Sequence, residues 1–269
     1  MIVSKRFGMG PAWLCALALV APHAALCQSA PVSFGGTVAA TSDYIYRGVS
    51  QSDGQGALQA DLHLGTDGGT FLGVWASSRD RNLEPGTASE VQIYAGQRFA
   101  LGGGWSFTVS GRADYYVGGV ADHSDDYQEL SVAFSWLDRY TFSLSAIPSA
   151  ARYTTVYYVD PSYPGVPQSY YLVYRSAAFS GDGSAQWLLR AGVAGGDLYA
   201  TAAAGYYYST QADRQAAPAI GYFYGNAGLS LAWRRCRLDL GYFAAQNGAA
   251  GLFPYPVAKR LAGTLSWQF

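Results

Sequence analysis

Asp61 and His63 are the two side chains whose types and spacing suit acid–base chemistry: two apart in an alternating segment, they point the same way, roughly 7 Å apart along a strand. A carboxylate that orients an imidazole is part of a hydrolytic triad, which also needs a nucleophile such as serine in reach. Histidine is otherwise scarce, because His23 lies in the N-terminal segment and His123 in a polar stretch between alternating segments. The plainer reading has Asp61 and His63 hydrogen-bonding across a polar interior. No catalytic residues are assigned, and the chain is not expected to be an enzyme. Cys15 and Cys27 belong to the N-terminal segment, so Cys236 stands alone and can form neither an intrachain disulfide nor a metal cluster. No metal, no cofactor, no phosphate loop and no nucleic-acid patch is expected.

The other charged residues fall on the polar parity of their segments. Positive candidates for a polar interior are Arg47, Arg98, Arg112, Arg175, Arg190, Arg237 and Arg260, and negative ones are Asp43, Asp61, Glu90, Asp114, Glu129 and Asp239. The signs nearly balance. A one-signed ring would argue for ion or phosphate selectivity, whereas a balanced set fits either a polar channel or a closed ladder of ion pairs.

The elements that must position these groups are strands. The 269 residues are half hydrophobic and only 13% charged, against roughly 25% charged in an average soluble domain. After residue 30 no apolar run approaches the roughly 18 residues of a spanning helix. Instead, segments of about ten residues alternate apolar and polar, as the wall of a transmembrane barrel requires. Trp105, Phe107, Val109, Gly111, Ala113 and Tyr115 against Ser106, Thr108, Ser110, Arg112, Asp114 and Tyr116 is the cleanest example. At the C-terminus Leu265, Trp267 and Phe269 alternate with Thr264, Ser266 and Gln268, a closing strand that reads as an assembly signal for the barrel-assembly machinery. Cys236, with Leu238 and Leu240, is expected to face lipid.

Lys5 and Arg6 followed by the apolar run Ala12 to Ala21 read as an export signal, residues 1–27 with the boundary between 27 and 30. Residues 33–269 then form one domain. Short links at Asp67 to Thr70, Leu101 to Gly104, Leu137 to Arg139, Gly181 to Ser184 and Arg234 to Arg235 alternate with longer ones at Arg47 to Gly56, Arg79 to Ala88, Gly118 to Asp126, Asp160 to Gln168 and Asn247 to Pro256. This pattern predicts an all-β, antiparallel up-and-down transmembrane barrel of about twelve strands, with both termini periplasmic and the long loops external. Leu198 to Ala219 reads as a long loop or an added hairpin partner, and Ile147 to Ala151 as a second possible break, so fourteen strands is the alternative.

The segment Thr41, Ser42, Asp43, Tyr44, Ile45, Tyr46, Arg47, Gly48, Val49, Ser50, Gln51, Ser52, followed by Ala57, Leu58, Gln59 and then Gly73, Val74, Trp75, Ala76, Ser77, resembles the opening of the Gcw_chp family over residues 34–78. The resemblance implies an outer-membrane barrel of a Gram-negative bacterium with a signal peptide and a terminal Phe, and it brings no substrate or catalytic residue. On the residues alone, Tyr44 and Tyr46 share a face suited to the outer interfacial girdle. Asp43 and Arg47 then point into the lumen, about 13 Å apart, so each is expected to pair with another strand. That arrangement is either a salt-bridge clamp on the first loop or a solute-binding site, with the clamp favoured. Trp75 is expected to pack or to sit in the girdle.

Three functions fit. The leading expectation is a monomeric, narrow, porin-like channel for small polar solutes, its bore limited because room for a wide aqueous channel comes only near sixteen strands. The others are a closed structural or surface-interaction barrel and a lipid-modifying enzyme. Outer-membrane lipids and the assembly machinery are the expected partners, with no nucleic acid.

Overall fold

In the computed structural model the described residues are 32–79, 88–118, 126–159, 167–211, 218–252 and 257–269, with side chains excluded for 153–172. Residues 1–31, where the export signal is expected, His123 and most of the expected 160–168 loop lie outside them. The strands are β1 (Val32–Thr41), β2 (Ile45–Tyr46), β3 (Val49–Ser50), β4 (Ala57–Thr66), β5 (Thr70–Ser78), β6 (Ser89–Gly102), β7 (Trp105–Val117), β8 (Tyr127–Trp136), β9 (Tyr140–Val159), β10 (Pro167–Val193), β11 (Gly196–Ser209), β12 (Ile220–Trp233), β13 (Cys236–Ala245) and β14 (Lys259–Gln268). All but β2 and β3 join one closed antiparallel ring of twelve strands, sealed where β14 pairs with β1. Closure leaves no unpaired edge, which a backbone in lipid requires.

The exterior is apolar. Leu62, Leu72, Val74, Ile93, Val109, Leu130, Leu144, Leu229, Leu240 and Leu265 are all exposed, a distribution that only lipid makes favourable. Rings gather at both ends of this belt. Trp105 stacks on Trp136, Trp136 on Tyr140, and Phe107 lies between Phe99 and Phe134 beside the short turns. Tyr115, Tyr206, Tyr208, Phe223 and Tyr242 are exposed toward the other end. Ten residues of β7 separate Trp105 from Tyr115, about 33 Å of strand, which at a tilt near 40° gives roughly 25 Å of height, a membrane's apolar thickness. Phe269 extends the closing ladder by exchanging backbone hydrogen bonds with Gly36, and packs on Phe34 and Trp267. Cys236 pairs with Trp267 on the outward parity.

The strand count agrees with the sequence, but three readings inside it change or are settled. Gly181 to Ser184 is no turn: β10 runs straight through, pairing Gly181 with Leu144 and Tyr206, and Gly183 with Phe142 and Ala204. The turn comes at Ala194 and Gly195, both at positive φ. Leu198 to Ala219 is for its first half the strand β11. One strand lost and one gained leave twelve. Ile147 to Ala151 is not a break either, since β9 continues past it and the ladder only shifts register there, between Ser176 and Ala178 of β10. Beyond Ala146 and Ala177 these two strands form ladder pairs, among the described residues, only with each other and rise past the ring as a two-stranded ribbon.

Candidate functional site in the barrel lumen

The segment between β1 and β4 does not sit over the barrel; it folds into it. β2 and β3 make a hairpin whose two-residue turn, Arg47 and Gly48, has φ of 47° and 77°, the positive values of a primed hairpin turn. Gly48 is required twice over, because a Cβ there would also lie 2.5 Å from the Ala245 Cβ and 2.8 Å from the Tyr224 Cβ. The hairpin is a plug at the end of the barrel where the long loops lie.

One side of the plug is ionic. Arg47 donates to Glu129 Oε1 at 2.8 Å and lies over the rings of Tyr46 and Tyr207. Arg112 meets Glu129 Oε2 at 2.9 Å and Asp114 Oδ2 at 3.1 Å, and donates to the Tyr46 hydroxyl. Tyr44 donates to Glu90 Oε2 at 3.2 Å and packs edge-on against Trp75 at 5.5 Å. Asp43 accepts from Ser50 and Ser52 and lies 3.4 Å from Arg260. Burial pushes the Tyr46 hydroxyl up to about 12, so it stays a donor at ordinary pH. The other side is apolar: Val49 joins Tyr207, Tyr222, Ala245, Ala249 and Leu252 in a buried cluster under the 3₁₀ turn Asn247–Gly251.

Tyr44 and Tyr46 are therefore inside the barrel, not in the outer girdle; their segment leaves the wall before the interface, and Tyr44 is 7% exposed. Asp43 and Arg47 each pair with another strand, Arg260 and Glu129 respectively. Trp75 packs against the plug. Glu90, Asp114 and Glu129 are buried with it. Arg98 pairs with Asp138 at the turn end, and Arg237 with Asp239. Two interior candidates point outward. Arg175 has the parity of exposed Val173 and Phe179, and its guanidinium reaches the carbonyls of Asp126 and Ser149. Arg190 follows a register shift after Leu188 that sets it opposite Leu198, on the lipid-facing parity of Tyr206 and Tyr208.

Below the plug, two aspartates on opposite walls are held alike. On β4 to β6, Tyr94 lies over Gly73, where a Cβ would come within 2.4 Å of its ring, and donates to Asp61 Oδ2 at 2.6 Å. Asp61 Oδ1 meets His63 Nδ1 at 2.6 Å. On β10 to β12, Asp182, Gly205 and Tyr224 form one rung, and the Tyr224 hydroxyl crosses the glycine to donate to Asp182 Oδ1. Ser180 donates to Asp182 Oδ2 at 3.0 Å. No cationic side chain approaches Asp182 within ion-pair distance among the described residues, and its carboxylate borders a cavity of about 140 Å³ roofed by Ile45, Arg47 and Gly48. Sequence reasoning missed Asp182 because it lies in the supposed turn.

The family resemblance read from the first hairpin holds: residues 25–148 match Gcw_chp, described as a bacterial protein of unknown function, and the match contains the whole plug. No curated protein matches the chain. Among solved structures it is similar to the NanC porin, with TM-score 0.49 and 11% identity over 88% of this chain and 99% of that one. It is also similar to the KdgM porin in complex with disordered oligogalacturonate, with TM-score 0.46 and 7% identity over 88% and 98%. A third is LpxR from Salmonella typhimurium, with TM-score 0.40 and 6% identity over 87% and 99%.

Proposed function

We propose that the chain is a narrow outer-membrane channel for small polar solutes whose first loop forms the constriction. Its long loops face outward and both termini face the periplasm. The observation that carries this reading is the cavity left beneath the plug, lined by Ser143, Ser184 and Asn226 rather than filled by arginines as a closed ladder would be. A twelve-stranded bore is too small for a wide aqueous pore, so passage depends on what the plug leaves free or on its movement. The barrel acts as a monomer among outer-membrane lipids, with Phe269 at its closing strand read by the assembly machinery, and no residue is given a catalytic role.

A closed structural barrel is the second reading, favoured by the ion pairs that fix Arg47 and Arg112 on Glu129. Planar bilayers separate the two. The channel reading expects discrete conductance steps from the native protein and larger steps from Arg47→Ala, which loses a charge-assisted bond worth on the order of 2 kcal/mol. Silence from both proteins would establish the closed barrel.

A further inference from the structure

We propose that the cavity beneath the plug binds a small hydroxylated primary ammonium ion, with Asp182 as its counter-ion. The inference rests on the channel reading and deepens it by naming the solute class. Two consecutive rungs of the ring build the wall. Ser143, Asp182, Gly205 and Tyr224 form the upper one, and Thr141, Ser184, Ala203, Asn226 and Phe243 the lower. Ala203 brings only a methyl group to the lower rung, which leaves the hollow beneath the Tyr224 ring that covers Gly205.

The carboxylate of Asp182 has about four lone-pair sites, of which Tyr224 and Ser180 engage one on each oxygen. Both partners are neutral, so the negative charge stays uncompensated where it meets the cavity. Glu90 also has no ion pair among the described residues, but it is 2% exposed and closed in by Tyr44 and Gln92. Arg47 borders the cavity too, yet its guanidinium is turned to Glu129. An ammonium group satisfies Asp182 with N–H donors and charge together. Ser143, Ser184 and Asn226 line the same space without side-chain hydrogen bonds among the described residues, and offer partners to a hydroxyl. Phe243 and Ile45 supply apolar surface for the carbon atoms. A cavity near 150 Å³ holds a benzene molecule, so 140 Å³ suits a solute of roughly six non-hydrogen atoms or fewer. Anions meet the wrong charge.

The test is calorimetric titration of the full chain in detergent micelles with ethanolammonium chloride, alongside bilayer recordings in a potassium chloride gradient. Native protein is expected to bind ethanolammonium and to prefer potassium over chloride. Asp182→Asn is expected to weaken binding about tenfold or more, the scale of one lost charge-assisted bond, and to remove the ion preference. Asp61→Asn should change neither. Asn226→Ala should weaken ethanolammonium but not methylammonium, which has no hydroxyl, and so tests the site without touching Asp182. Absence of binding to the native protein, or an Asp182→Asn protein that binds as well as the native one, overturns the inference. If the barrel proves non-conducting while binding is still lost with Asp182→Asn, the channel reading fails and the site stands.

Discussion

Asp61 and Asp182 are mirror cases on opposite walls of one barrel, since β5 and β11, the strands of Gly73 and Gly205, stand six places apart in the ring of twelve. Each accepts from a tyrosine laid across a glycine of the intervening strand, the cross-strand covering that compensates a residue with no side chain to pack. They differ in the second partner. Asp61 has His63, and Asp182 has only the hydroxyl of Ser180 and an open cavity. The same local device thus yields a finished clamp on one wall and an unfinished one on the other. The finished one belongs to stability, and the unfinished one is available for binding.

Four experiments break or sharpen that contrast. The largest effect is expected from Gly48→Val, which combines a β-branched residue at φ 77° with overlap on Tyr224 and Ala245. The combined strain is about 3 kcal/mol, roughly a hundredfold in the closed-to-open ratio of the plug. It removes the roof over Asp182 and leaves the Asp61 wall intact, so single-channel conductance should rise while the unfolding midpoint of the barrel barely moves.

Next is the pair of isosteric exchanges. Asp61→Asn weakens two charge-assisted bonds of 2.6 Å and should lower stability in chemical denaturation by about 2 kcal/mol, whereas Asp182→Asn should cost less than about 1 kcal/mol because its carboxylate borders a cavity where water can take up a weakened bond. Equal losses would end the distinction between clamp and site. The glycines give a smaller version. A Cβ at Gly73 meets the Tyr94 ring at 2.4 Å and a backbone oxygen at 2.9 Å, while one at Gly205 meets only side-chain ends at 2.6 Å. Gly73→Ala is therefore expected to cost about 1–2 kcal/mol. Gly205→Ala should cost less in the same denaturation, and should shift Asp182 enough to impair ethanolammonium binding.

The smallest effect is alkaline loosening of the plug. Tyr46 keeps its proton up to about 12 when buried, whereas a released tyrosine ionises near 10. The seated plug therefore binds more protons than the released one between these values, and rising pH favours release by up to tenfold per unit there. Conductance should climb between pH 10 and 12 in the native protein and climb less in Tyr46→Phe.

Period two made the wall legible. The luminal faces of β6, β7 and β8 follow directly from alternation, because a barrel strand has one dry and one wet side. The error at Gly181 to Ser184 was avoidable on the same grounds. Ser180, Asp182, Ser184 and Gln186 keep one polar parity without interruption, with Phe179 and Trp187 on the other, and a real turn would have broken it. Arg190 was beyond reach, since one bulge reverses every later face. The plug was also beyond reach: Tyr44 and Tyr46 alternate as girdle residues do, and tertiary contacts with Glu90, Glu129 and Arg112 draw them inside.

The plug is also tied to the strand made last. Asp43 meets Arg260, the Gly48 carbonyl accepts from the Ala258 amide at 2.8 Å, and Val49 bridges Val257. These partners arrive only when β14 reaches β1. During biogenesis the hairpin therefore completes its anchorage only as the cylinder seals, so a defect in the C-terminal strand would loosen the plug before it unfolds the wall.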